Sequence, residues 1–224
     1  KKIMKLLLTS AGIKNTSIHN ALVDLLGKPI AEASALFVPT AIYAIAGGAE
    51  ISRKVICGSL GDPFCDLGWK SLGVLELTAL PSIKPALWVS MLEETDALLV
   101  GGGDCQYLCY WMQQSGLADL LPSLLRKTVY VGLSAGSMIM TRFGTTYGGH
   151  TLPAESDKSL GLLDFAIHPH LDYESFPENS LANLEKLAAT IAVPSYLIDD
   201  QTAIKVVDGT VEIVSEGNWK LLTP

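Results

Sequence analysis

Short, unbroken apolar runs alternate along this chain with stretches whose apolar residues recur at helical spacing, and that alternation limits the possible folds more than any other feature. The runs Ile3–Thr9, Ala35–Pro39, Val74–Thr78, Ala97–Val100 and Val129–Val131 have the character of strands buried on both faces. Between them, Ser17–Leu26 sets Ile18, Leu22, Leu25 and Leu26 on one helical face, with Thr16 or Ser17 as the expected cap. Lys84–Thr95, Tyr107–Gly116, Ala135–Thr141 and Pro177–Ala192 read as further helices. Alternation of this kind predicts a parallel sheet with helices on both sides and right-handed crossovers. Near the C-terminus, Thr202–Val207 and Thr210–Ser215 flank Asp208-Gly209, the signature of a hairpin, and predict an antiparallel edge ribbon. In such sheets the chemistry gathers where strands run into helices, here after Thr9, Val100 and Val131.

Composition narrows the partners. With 224 residues and 49% hydrophobic content, the chain can bury one large core, and no stretch resembles a linker, so residues 1–224 are expected to form a single domain. A net charge of -7 with scattered Lys and Arg provides no cationic face for a phosphate backbone, so nucleic acid is not an expected partner. No apolar run reaches the roughly 18 residues of a membrane span, so no membrane partner is expected and the chain is read as soluble and cytoplasmic. Cys57, Cys65, Cys105 and Cys109 lack metal-site spacing and read as buried small hydrophobes in a reducing compartment. No metal and no cofactor is expected.

The sharpest local signal is Gly132-Leu133-Ser134-Ala135-Gly136, directly after one predicted strand and directly before a predicted helix. A G-x-S-x-G turn of this kind is a nucleophile elbow, which needs glycines two residues either side of the serine because side chains there clash. It exposes the serine hydroxyl above the sheet and leaves the Ala135 amide free to face an oxyanion. The competing reading is a Gly-rich turn whose serine caps the helix. Gly101-Gly102-Gly103-Asp104 follows another buried strand, and its amides are suited to close approach to a ligand. It lacks the residues of a P-loop or dinucleotide fingerprint.

A nucleophilic serine needs a base, and the histidines are His19, His150, His168 and His170. His19 lies in a helical stretch and reads as a surface or half-buried residue. The segment Phe165–His168 reads as a strand ended by Pro169, which delivers His170 just beyond a rigid bend and leaves His168 a structural role.

Taken in order, Gly-Gly-Gly-Asp, Gly-Leu-Ser-Ala-Gly and a strand-ending Pro-His resemble the peptidase E (aspartyl dipeptidase) and cyanophycinase group of serine peptidases, which have a class I glutamine-amidotransferase-like fold. The resemblance extends from Ile3 to the segment Asp199-Asp200-Gln201-Thr202-Ala203. It implies Ser134 as nucleophile, His170 as general base, and the amides of Gly102 or Gly103 and of Ala135 as oxyanion donors. With the alternation it implies an α/β three-layer sandwich: a mostly parallel, flavodoxin-like sheet with a C-terminal antiparallel hairpin. The expected activity is hydrolysis of short peptides by a monomer or homodimer.

Two departures qualify the resemblance. The family pattern expects a triad aspartate about fifteen residues after the serine, but Tyr147–Pro153 holds no carboxylate, which makes Glu155 the candidate acid ahead of Asp157. Aspartyl dipeptidases also carry an arginine after the catalytic histidine to pair with the substrate carboxylate. Leu171–Leu184 has Asp172, Glu174 and Glu178 there and no cation, leaving Arg142, Lys158 or Lys186 to substitute from elsewhere. Two other classes stay open: an α/β-hydrolase esterase with Asp157 or Asp164 as its acid, and a non-catalytic binding module that lost its triad acid.

Overall fold

The computed structural model describes residues 4–142 and 159–224. In chain order the strands are β1 (Lys5–Thr9), β2 (Ser34–Val38), β3 (Ser71–Val74), β4 (Ala97–Val100), β5 (Val129–Leu133), β6 (Ala166–His168), β7 (Ser195–Ile198), β8 (Thr202–Val207), β9 (Thr210–Ser215) and β10 (Trp219–Leu222). The helices are α1 (Thr16–Leu26), α2 (Gly48–Ile56), α3 (Val89–Glu93), α4 (Cys105–Gln114), α5 (Leu117–Leu124), α6 (Ala135–Met138) and α7 (Leu181–Ala188). The main sheet runs β3-β2-β4-β5-β1-β8-β9, and a smaller one runs β10-β7-β6. From β3 to β1 every pairing is parallel; β8 and β9 complete the sheet antiparallel.

The parallel strands are apolar on both sides because helices cover both faces. Leu6 and Leu8 of β1, Leu36 and Val38 of β2, and Leu98 and Val100 of β4 enter one core. Their neighbours Leu7, Ala35, Phe37, Ala97 and Leu99 enter the other. This is the period of two expected of strands between two helical layers. The C-terminal hairpin matches its sequence signature: Val207 pairs with Thr210 across Asp208 and Gly209, whose φ values of 52° and 80° are those of a tight primed turn.

Several local expectations are corrected. The run Val74–Thr78 is not a strand: β3 ends at Val74 and a 3-10 turn spans Leu77–Ser82. Glu76 caps that turn, and its carboxylate accepts a hydrogen bond from the Thr40 hydroxyl at 2.8 Å, so Leu77 and Leu80 are buried without strand pairing. The expected helix Lys84–Thr95 is split into a turn at Pro85–Leu87 and the short α3, with Trp88 between them at φ -117°. Pro177–Ala192 splits likewise into a turn at Pro177–Asn179 and α7, which Ser180 caps. The cap of α1 is Asn15, whose side chain accepts from the Ile18 amide, rather than Thr16 or Ser17. Cys65, Cys105 and Cys109 are buried as expected, whereas Cys57 is exposed at the end of α2.

The turn between β5 and α6 is braced from below. The fully buried Tyr130 hydroxyl donates to the Gly136 carbonyl at 2.6 Å, six residues on. Replacing Tyr130 with Phe leaves that carbonyl unpaired in the core. We expect it to cost about 1–3 kcal/mol of stability, read as a lower urea midpoint at unchanged slope.

Candidate active site

The site lies along the carboxyl ends of three adjacent parallel strands. β4, β5 and β1 deliver Gly101–Gly103, Ser134 and Ser10 in that spatial order. The smaller sheet supplies the rest: β6 and β7 are parallel, with His168 opposite Leu197, so the chain just past each carries His170 and Asp200 to one place.

Ser134 occupies a strained strand-to-helix turn at φ 50° and ψ -109°. The turn is possible only with glycine on either side. A Cβ on Gly132 would lie 2.7 Å from the Gly136 carbonyl carbon, and one on Gly136 would lie 2.1 Å from the Val100 oxygen. The Ser134 amide is held by the Thr9 carbonyl at 3.0 Å, which also accepts from the Ser137 hydroxyl at 2.8 Å. Ser134 retains 8% of its surface, enough to present its hydroxyl to the cleft.

The Ser134 Oγ stands 2.9 Å from His170 Nε2, and His170 Nδ1 stands 2.7 Å from Asp200 Oδ1. An ionised carboxylate can only accept, so Nδ1 carries the proton toward Asp200, leaving Nε2 to accept from the serine hydroxyl. Ser10 ties the acid to the base. Its hydroxyl donates to Asp200 Oδ1 at 2.7 Å and accepts the His170 backbone N–H at 2.8 Å. That bond helps hold His170 in the left-handed region at φ 59°, which ordinary side chains avoid. Burial opposes charge on Asp200, but hydrogen bonds from His170 and Ser10 and the nearby charge of Lys14 outweigh it, holding the carboxyl below its usual range.

Gly101–Gly103 lie against the serine. A Cβ on Gly102 would be 3.3 Å from that of Ser134, and Gly103, at φ 123°, passes so close to Ala41 that only glycine fits. The amides of Gly101 and Asp104 bond the carbonyls of Val38 and Ala41. Among the described residues, those of Gly102, Gly103 and Ala135 have no such partner and border the serine. A cleft of about 880 Å³ opens over Ser134, His170 and Asp200.

A model of peptidase family S51 matches residues 6–214. The chain belongs to peptidase family S51. It is 30% identical over 121 residues to the uncharacterized peptidase YgaJ of Bacillus subtilis (strain 168), covering 54% of this chain and 51% of that one. It is 34% identical over 84 residues to peptidase E of Streptomyces coelicolor (strain ATCC BAA-471 / A3(2) / M145), covering 37% of this chain and 35% of that one. These matches thus span about half or less of the curated relatives' length. Among solved structures, a candidate peptidase E protein from Listeria monocytogenes EGD-e superposes with a TM-score of 0.67 at 21% identity, covering 96% of this chain and all of the other. A peptidase from an acI-B1 Actinobacterium gives 0.63 at 19% identity over 99% of this chain and 95% of the other. At these identities the two structures speak for the fold, which is the peptidase E fold.

Within this S51 chain, the expected nucleophile and base meet directly. The expected acid, Glu155, and its alternative Asp157 lie outside the described residues; the carboxylate that stands on His170 is Asp200. Its neighbour Asp199 has a different task, accepting from the Gln201 amide at 3.0 Å and the Thr202 hydroxyl at 2.7 Å to hold the turn between β7 and β8. The available signal was Asp199-Asp200 itself, an acidic pair at the end of an apolar run. Asp164 is exposed and ion-paired with Arg142 on the surface. Lys186 is exposed on α7, Lys158 is outside the described residues, and neither Arg142 nor Lys186 lines the cleft. His19 is exposed on α1, and His150 is not among the described residues.

His168 has the structural role expected. It is buried in β6, and burial lowers its pKa to about 4 from an ordinary 6.5. The unfolded chain therefore binds the extra proton between those values, and stability falls as the pH drops from about 6.5 toward 4. Replacing His168 with Gln should flatten that part of a stability-against-pH profile measured by chemical denaturation. The share due to Asp200 is lost only at lower pH, below the ordinary carboxylate range.

Proposed function

We propose that this protein is a serine peptidase that hydrolyses short peptides through an acyl-enzyme on Ser134. The observation that carries the reading is the unbroken chain from Ser134 through His170 to Asp200, with spacings of 2.9 and 2.7 Å. His170 Nε2 takes the Oγ proton as the serine attacks the scissile carbonyl, then returns it to the leaving amine. Water, deprotonated by the same nitrogen, releases the acid product. Asp200 fixes the tautomer and stabilises the imidazolium, and Ser10 keeps acid and base in register. The amides of Ala135 and of Gly102 or Gly103 receive the oxyanion of the tetrahedral intermediate, each donor typically contributing about 3 kcal/mol. Membership of family S51 supports peptide bonds as the scissile group, and the cleft volume suits a few residues better than a folded protein.

The non-catalytic reading rested on a missing triad acid, and Asp200 removes its motive. The esterase reading is disfavoured because the family is one of peptidases.

A fluorophosphonate probe should label the wild-type protein at Ser134, as read by mass spectrometry of the modified peptide. Ser134→Ala should lose labelling and peptidase activity outright. Asp200→Asn, which leaves the shape but removes the acceptor that sets the tautomer, should lower kcat/KM by about 10²–10⁴-fold. Full activity in Ser134→Ala or His170→Ala would exclude the mechanism.

A further inference from the structure

Among the described residues, the cleft wall beside the nucleophile is apolar and carries no cation to receive an acidic side chain. Ile45, the α2 residues Ile51 and Val55, and Leu60 from the following loop line it, while Tyr173 and Phe176 stand beside the His170 ring. Among the described lining residues the charged groups are Asp62 and Asp200, both carboxylates. Lys14, whose charge reaches Asp200, is tied to Asp62 at 2.6 Å and to the Gly61 carbonyl, and Arg53 on α2 pairs with the exposed Glu50 on its own helix.

These surroundings fix the sign of the selectivity. Among these lining residues a substrate carboxylate would lose hydration without gaining a partner, and the ionisable side chains it met there would be carboxylates already paired within the protein. An aliphatic or aromatic side chain would remove apolar surface from water on both partners, at roughly 25 cal/mol per Å². We propose that the acyl-side subsite of this protein accepts an apolar side chain, of leucine or phenylalanine size, and rejects an acidic one. The inference rests on the serine-peptidase reading and deepens it: the substrates are short peptides cleaved after an apolar residue.

Aminoalkyl boronic acids test this without knowledge of the physiological substrate, because Ser134 Oγ adds to the trigonal boron, its proton passing to His170, while the side chain enters the acyl subsite. Boronates with isobutyl, benzyl and carboxymethyl side chains should be titrated against fluorophosphonate labelling of the full chain. The isobutyl and benzyl compounds should protect Ser134 at concentrations at least tenfold lower than the carboxymethyl compound. In Leu60→Arg, a substitution at an exposed cleft position, the gap should shrink at least threefold. Equal or better protection by the carboxymethyl compound, no protection by any of the three, or an unchanged gap in Leu60→Arg would each overturn the subsite. Failure of the probe to label the wild-type protein is a separate result and would overturn the serine-peptidase reading instead.

Discussion

The reactive turn is bonded to the end of β1 through a single buried residue, Thr9. Its carbonyl accepts from the Ser134 amide and the Ser137 hydroxyl, and its own hydroxyl donates to the Gly132 carbonyl at 2.7 Å. These bonds fix the register of β1 against β5, and with it the height at which Ser134 leaves the sheet. Because Gly136 lies under the Val100 carbonyl, the same packing sets the distance from Ser134 to the glycine loop after β4. A strained serine backbone persists only when its surroundings over-determine it, and here three neighbouring strand ends do so.

Base and acid arrive by a different route. Both come from the smaller sheet, where the parallel pairing of β6 with β7 delivers His170 and Asp200 together. Ser10, one residue beyond Thr9, joins the two sheets: its hydroxyl accepts from the backbone of the base and donates to the side chain of the acid. The first strand therefore positions the nucleophile through Thr9 and the base and acid through Ser10. Residues that look unremarkable in sequence, a threonine and a serine after an apolar run, hold together a site whose chemistry is carried elsewhere.

The cleft adds a constraint that the catalytic groups do not share. No lysine or arginine is among its described lining residues, and much of its wall comes from the 40–56 region, which α2 and the preceding 3-10 turn build over Ser134. The Ser134–His170–Asp200 chain thus sits beside a largely apolar wall from a different part of the chain. The hydrogen-bonded chain and the apolar wall are held by separate elements, so residues of one can vary without disturbing the other.

What the sequence determined by itself is local. Unbroken apolar runs gave β1, β2, β4 and β5 to within a residue or two, because strands buried on both faces leave no other pattern. The Asp-Gly turn gave the hairpin, and G-x-S-x-G gave the strained turn, because steric limits on backbone conformation act within a few residues. The ending of Val74–Thr78 and the splitting of Lys84–Thr95 were hidden, since pairing at a sheet edge and burial against a distant core decide them. The partner of His170 was hidden for the same reason. Glu155 is closer to the serine in sequence, but order along the chain does not decide which carboxylate the sheet brings to the histidine. The pairing of β6 with β7, 29 positions apart at His168 and Leu197, selects Asp200. The tertiary structure also decided the sign of charge in the cleft, because whether a lysine serves a substrate or a neighbouring carboxylate depends on which lies within reach once the chain has folded.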